Sequence, residues 1–575
     1  MRALRPRFFT TALAMLVLAA CSKQEPPTNR TAPGSDADPA GTETVETLVA
    51  RAGAPLFEGM GEYHRAITTI DAGAQRYFNQ GMVLAFGFNH AEAIRSFRAA
   101  QRLDDQCAMC YWGEALATGP NINVTSKGKA IMPPADQVTA FAAVQRAIER
   151  KPNATETERD LIDALAMRYS AEPVQDRDPL DRAYATALCE LTRKYPTDDD
   201  IAAMFSEAWM NTMPWNYWSD DGAPRPETVP VIAALESIIA RNPRHPLALH
   251  LYIHAVEASA NPGRAEDEAD TLASLVPGSG HLVHMPAHLY WRVGRYHDAA
   301  EANVRAAAVD EAYITQCNAQ GFYPALYYPH NIHFLWAASS MEGRSAVAIE
   351  AARKVAANVR LEQIEQFPAV EFFHTIPLLA LIQFGRWDEV LAEAAPRSDL
   401  AYSTGIWHYA RGVALANKGD LAGARAERAA LVPLKVNDKV LFLDGADYPA
   451  SALLEIADEL VLGEIAMAGE DFATAVAHFS RAVAAQNALP YTEPPFWYYP
   501  TRQSLGLALL RAGRAAEAEA VYRKDLEAYP HNGWSTYGLI QSLEAQGKTG
   551  EANEHRGHFE AMWSLADVQL NASRI

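Results

Sequence analysis

The chain has 575 residues, of which 49% are hydrophobic and 21% charged. That is material for about four ordinary domains and a large buried core, and it excludes wholesale disorder. Lys and Arg number 50 against 70 Asp and Glu, a formal charge of −20; a surface this acidic repels phosphate backbones and argues against a nucleic-acid partner.

Arg2, Arg5 and Arg7 precede the apolar run 11–20, which is too short to cross a bilayer and reads as the core of a secretory signal. It ends in Leu18-Ala19-Ala20-Cys21. This resembles the lipobox of bacterial lipoproteins. The resemblance implies cleavage before Cys21 and acylation of its thiol. With Ser22 next, it also implies a lipid anchor on the periplasmic face of the outer membrane. Loss of residues 1–20 removes three Arg and no acid, leaving 47 basic against 70 acidic residues, a charge of −23. Residues 21–55, rich in Pro, Thr, Gly and Asp, read as a flexible tether.

The remainder divides into degenerate helical repeats over 56–260 and clearer ones over 261–575. FNQGMVLAFGFNHAEAIRSFRAAQRLD (78–104) is a helix pair with Asn89 as N-cap, and CAMCYWGEALATGP (107–120) opens the next. Cys107 and Cys110 sit at that helix start as a local disulfide or a thiol pair; no βαβ context supports a redox active site. A glycine followed by a polar step and an Ala-rich amphipathic run recurs at Gly263, Gly294, Gly343, Gly385, Gly419, Gly469, Gly513 and Gly547. No stretch alternates with period two for long enough to build a sheet. The pattern resembles the tetratricopeptide repeat, which implies an all-α, right-handed superhelix of helical hairpins. FNHAEAIRSF, CAMCYWGEAL with GPNIN, HLVHMPAHLYWRVGRY and EPPFWYYPTRQSLGLALLRAGR together look like one family of large bacterial tetratricopeptide proteins. That family has no agreed activity, so the resemblance implies fold and little else.

Histidine is concentrated: nine of 17 lie between His245 and His333. His250 and His254 are four apart with Glu257 three further on, one stripe of a helix. His281, His284 and His288 form a second stripe, His330 and His333 a third, and Glu371 with His374 a fourth. In a tetratricopeptide superhelix first helices line the concave surface, so these stripes are expected to face one groove. Imidazoles with one or two carboxylates suit zinc, copper or iron. Pro286 and Pro377 are expected to interrupt their helices and re-aim side chains. There is no HExxH, no phosphate-binding GxxxxGK[ST] and no GxSxG elbow.

Two aromatic segments, 213–226 with Trp215, Tyr217 and Trp218, and 493–502 with Trp497 and Tyr498, can wall a ligand groove, Arg502 holding a carboxylate. Such residues also bury irregular connections by themselves. Two functions follow. One is a lipid-anchored scaffold with a metal-capable centre and a protein or peptide in its groove. The other is a metal-dependent hydrolase or oxidoreductase acting on a small molecule, with Glu257 or Glu371 as general base. Histidines that merely pack remain a third reading.

Overall fold

Helices begin where a short polar side chain meets the orphan amides of a first turn. Asp71 accepts from Gly73 N and Ala74 N and starts Ala72–Phe86. Asn89 accepts from Glu92 N and starts His90–Leu103, as its position predicts. Thr155 and Glu158 close a capping box ahead of Glu156–Ala166. Helices end at the recurring glycines: Gly294, Gly343, Gly385, Gly419, Gly513 and Gly547 all hold positive φ. Gly263 instead lies in the 3-10 turn Pro262–Ala265, and at the Gly469 position the left-handed step passes to Glu470.

The computed structural model describes residues 43–219, 221–317 and 322–575. It is all-α, a right-handed superhelix of tetratricopeptide-like hairpins. Among the described residues the sheet content is a two-residue antiparallel pairing of Thr125–Ser126 with Lys129–Ala130. The signal, Cys21 and most of the expected tether lie outside the described residues. The tether reading of 21–55 needs correction at its end: Val45–Ala52 is helical and packs on His90–Leu103. Leu48 and Ala52, one turn apart, are buried there. Residue 260 is likewise no boundary, because Val45–Ile575 forms one compact unit.

Within that unit the array returns on itself. Trp534 Nε1 donates to Ser340 O at 2.9 Å, Asp567 accepts from Ser345 N and Ala346 N at 2.7 and 2.9 Å, and Arg574 donates to Gln383. At the other end, Gly278 N donates to Gly59 O at 2.8 Å. The C-terminal segment thus reaches the end of Phe322–Met341, and the N-terminal segment reaches the turn before Gly280–His284.

Gly294 (φ 80°) shows how tight the closure is, since a Cβ there would lie 2.4 Å from Pro530 O. Gly294→Ala is expected to cost at least about 1–2 kcal/mol from the left-handed backbone alone. Urea unfolding of the two proteins measures it.

Candidate metal centre

Three of the four histidine stripes come together. His250 and His254 lie on Pro246–Val256, and Pro286 splits the next run into Gly280–His284 and Pro286–Val293, carrying His281, His284 and His288. His330 and His333 lie on Phe322–Met341. Ring centroids run continuously through the cluster: His250 to His254 4.9 Å, His250 to His281 5.0 Å, His281 to His284 5.8 Å, His284 to His288 4.7 Å and His284 to His330 4.8 Å. His250, His254, His281, His284 and His288 are all at most 2% exposed.

Hydrogen bonding fixes the tautomers. His250 Nδ1 lies 2.7 Å from Phe86 O, which can only accept, so that nitrogen carries the proton. His254 Nδ1 donates to Glu257 Oε1 at 2.9 Å. His284 Nδ1 meets Asn303 Oδ1 at 2.7 Å, and the Asn303 amide is oriented by donating to Ala299 O. In each ring Nε2 is left with a lone pair. On His250 and His254 that atom is buried without a partner, and both ring nitrogens of His281 are in the same condition. A protonated Nδ1 held by an acceptor, with a bare Nε2, is the arrangement of metal-ligating histidine.

His288 concentrates the demand for positive charge. Its Nε2 is 2.8 Å from His284 Nε2, and its Nδ1 is 2.9 Å from Glu257 Oε2 and 3.6 Å from Glu493 Oε2. The contact to Glu257 falls outside the alignment of a hydrogen bond. A neutral imidazole has one proton, so one of its nitrogens must face a lone pair or a carboxylate undressed. A second proton or a metal cation resolves the conflict.

Burial alone would raise the Glu257 carboxyl, but His288 and His254 outweigh it and hold it down at about 2. Glu493 goes the opposite way: burial and the Glu257 charge push it well above the carboxylate range, against Arg292. Tyr491 OH donates to its Oε1. Burial drives His250, His281, His284 and His330 well below the ordinary imidazole value, and neighbouring imidazoles add to the effect.

The cluster forms one wall of a cavity of about 220 Å³, where His281, His288 and His330 meet Trp215, Tyr327, Trp336, Phe372, Tyr448 and Tyr498. Its polar lining is Asn123, Thr375, Thr492 and Glu493, without Lys or Arg. Trp215 holds φ 61°, a costly backbone for a bulky residue, and its ring lies 5.1 Å from His254.

Several expected site residues stand elsewhere. His333 lines the cavity but stacks on Trp336 at 5.2 Å, apart from the ligand groups. Glu371 and His374 do not join the cluster: Pro368–Thr375 is a 3-10 helix, His374 Nε2 donates to Val359 O, and Glu371 accepts from Ser403 N. Pro377 opens the helix Ile376–Gln383 rather than interrupting one. Tyr217 and Trp497 are core residues, and Trp218 is pinned through Nε1 to Ala255 O. Arg502 is engaged by Asn487 and does not line the cavity, which corrects its expected role. Cys107 and Cys110 are disulfide-bonded. Sequence reading missed Glu493 and Asn303 as site residues. The head of the aromatic segment was a signal for the first; nothing marked the second.

No family model matches the chain, and no curated protein matches it. Among solved structures it is similar to the human IFIT1 dimer with m7Gppp-AAAA, at 12% identity over 86% of this chain and 90% of that one, with a TM-score of 0.29. It is also similar to yeast Tom70, at 10% identity over 84% and 89% with a TM-score of 0.27. The P58(IPK) TPR domain aligns at 9% identity over 64% and 93%, with a TM-score of 0.19. Likenesses of this size carry no argument about site or activity.

Proposed function

We propose that this is a lipid-anchored periplasmic helical-repeat protein whose histidine cluster holds a transition metal beside a small-molecule cavity, and that it acts there as a metal-dependent enzyme. The observation that carries the reading is the set His250, His254 and His281. His250 and His254 each give Nδ1–H to an acceptor and leave a buried, unpartnered Nε2, and both ring nitrogens of His281 beside them are unpartnered. Zinc, copper and iron all suit such donors. The cavity favours a small neutral molecule over the protein or peptide of the scaffold reading: it is about 220 Å³, its walls are aromatic and no Lys or Arg lines it. Glu493 lines the cavity and is the better candidate for proton transfer. Glu257 is engaged by His254 and His288 and serves as their orienting carboxylate.

Elemental analysis of the purified mature protein tests the reading. A near-stoichiometric transition metal is expected; a helical protein that takes up none on dialysis against Zn²⁺, Cu²⁺ or Fe²⁺ overturns it.

The address rests on Leu18-Ala19-Ala20-Cys21, and the Cys107–Cys110 disulfide suits an oxidising compartment. Cys21→Ser is expected to move the protein from the membrane to the soluble periplasmic fraction. A variant that stays with membranes after a high-salt wash contradicts the anchor.

A further inference from the structure

Taking the metal reading as its premise, we infer that the cluster is a two-ion centre, one ion on His250, His254 and His281 and the other on His284, His288 and His330. The two sets repeat one design. Each contains two histidines four residues apart, His250 with His254 on Pro246–Val256 and His284 with His288 on either side of the break at Pro286. Each is closed by one imidazole from a later helix: His281 on Gly280–His284 for the first set, His330 on Phe322–Met341 for the second. Donor atoms in each set lie within 4.8 Å of one another. Two nitrogens on one tetrahedral ion sit about 3.4 Å apart for bonds of about 2.0–2.1 Å, so modest ring rotations complete either set.

A single ion does not account for the inventory. Six imidazoles exceed the three or four protein ligands such an ion takes. The orienting acceptors are also distributed between the sets, Phe86 O and Glu257 on the first and Asn303 on the second. Glu257 joins them: with His254 and His288, one residue from each set, it forms a third group of converging donors. A buried carboxylate between two cation sites offsets their mutual repulsion, and paired ions of this kind can grip both attacking and leaving atoms of a substrate. The cavity reaches both sets, through His281 for the first and His288 and His330 for the second.

Equilibrium dialysis of the full mature chain against Co²⁺, followed by elemental analysis, decides the matter. Two ions per chain are expected. One ion overturns the two-ion centre while leaving the metal reading intact, and none overturns both. The paired variants His250→Ala/His281→Ala and His284→Ala/His330→Ala are each expected to bind one ion with unchanged helical circular dichroism. Should either variant lose its helicity, the single changes His281→Gln and His330→Gln serve in its place, each expected to weaken one of the two binding steps at least tenfold. A variant of either kind that still binds both ions with parental affinity removes its set from the centre.

Discussion

Glu257→Gln is expected to lower metal affinity by about 10–100-fold, the usual cost of losing a partner that orients ligating histidines. The side chain is fully buried and spans two imidazoles, with Oε1 on His254 Nδ1 and Oε2 beside His288 Nδ1. Glutamine keeps the shape, and its carbonyl can still accept from one ring. Its amide then points N–H groups at the other, and the negative charge that offsets a bound cation is gone. Glu493→Gln, by contrast, replaces a carboxyl that burial and the Glu257 charge push well above the ordinary carboxylate range, so the change in charge the metal senses is expected to be smaller. It is expected to bind metal within about threefold of the parent. Once a substrate is known, it should lose about a hundredfold or more in turnover, as general acid–base groups do. Competitive titration with a metal indicator reads the first pair of numbers. Equal affinity of Glu257→Gln and parent would remove Glu257 from the centre.

The helical array was legible because its signals are local. A glycine that must turn left-handed and an alanine run that must pack both show within a few residues, and six of the eight recurring glycines are left-handed helix ends. The stripes through His250, His281, His284 and His330 were legible for a related reason: an i, i+3 or i, i+4 spacing defines a helix face, and stacked repeats align such faces. The same argument misplaced Glu371 and His374, because the segment around them forms a 3-10 helix and its face points elsewhere. Glu493 could not be read from spacing. It reaches His288 from about 200 residues downstream, on a loop brought in by the array's return, and no helical periodicity encodes that contact. Asn303 was hidden differently. It lies on the helix Tyr296–Cys317 behind the histidines, where a lone asparagine in an alanine-rich run looks like any other polar residue.

The metal-free protein is expected to unfold as pH falls from 7 toward 5, and bound metal should shift that loss to lower pH. Burial depresses His250, His281, His284 and His330 well below the ordinary imidazole value and His254 by less; His333 falls to about 3 and His90 to about 4. Above about 6.5 these rings are neutral in both folded and unfolded chains and add no pH dependence. Below it the unfolded chain takes up protons that the folded one refuses, so stability is lost until the depressed folded values are reached. Buried carboxyls act in the other direction, Glu493 among them. Burial raises Asp310 and Asp525 to about 7, so the folded state holds their protons more tightly and gains stability as pH falls from 7 toward about 4. Seven histidines against Asp310, Asp525 and Glu493 leave a net loss of stability as pH falls below about 6.5. A total stability of about 5–15 kcal/mol leaves little room for such a loss. Bound metal opposes this because protons must first displace it from the same nitrogens. Thermal unfolding of stripped and metal-loaded protein across pH 8 to 5 measures both effects. A stripped protein whose Tm is level from pH 7 to 5 would show that these imidazoles are not held neutral by burial.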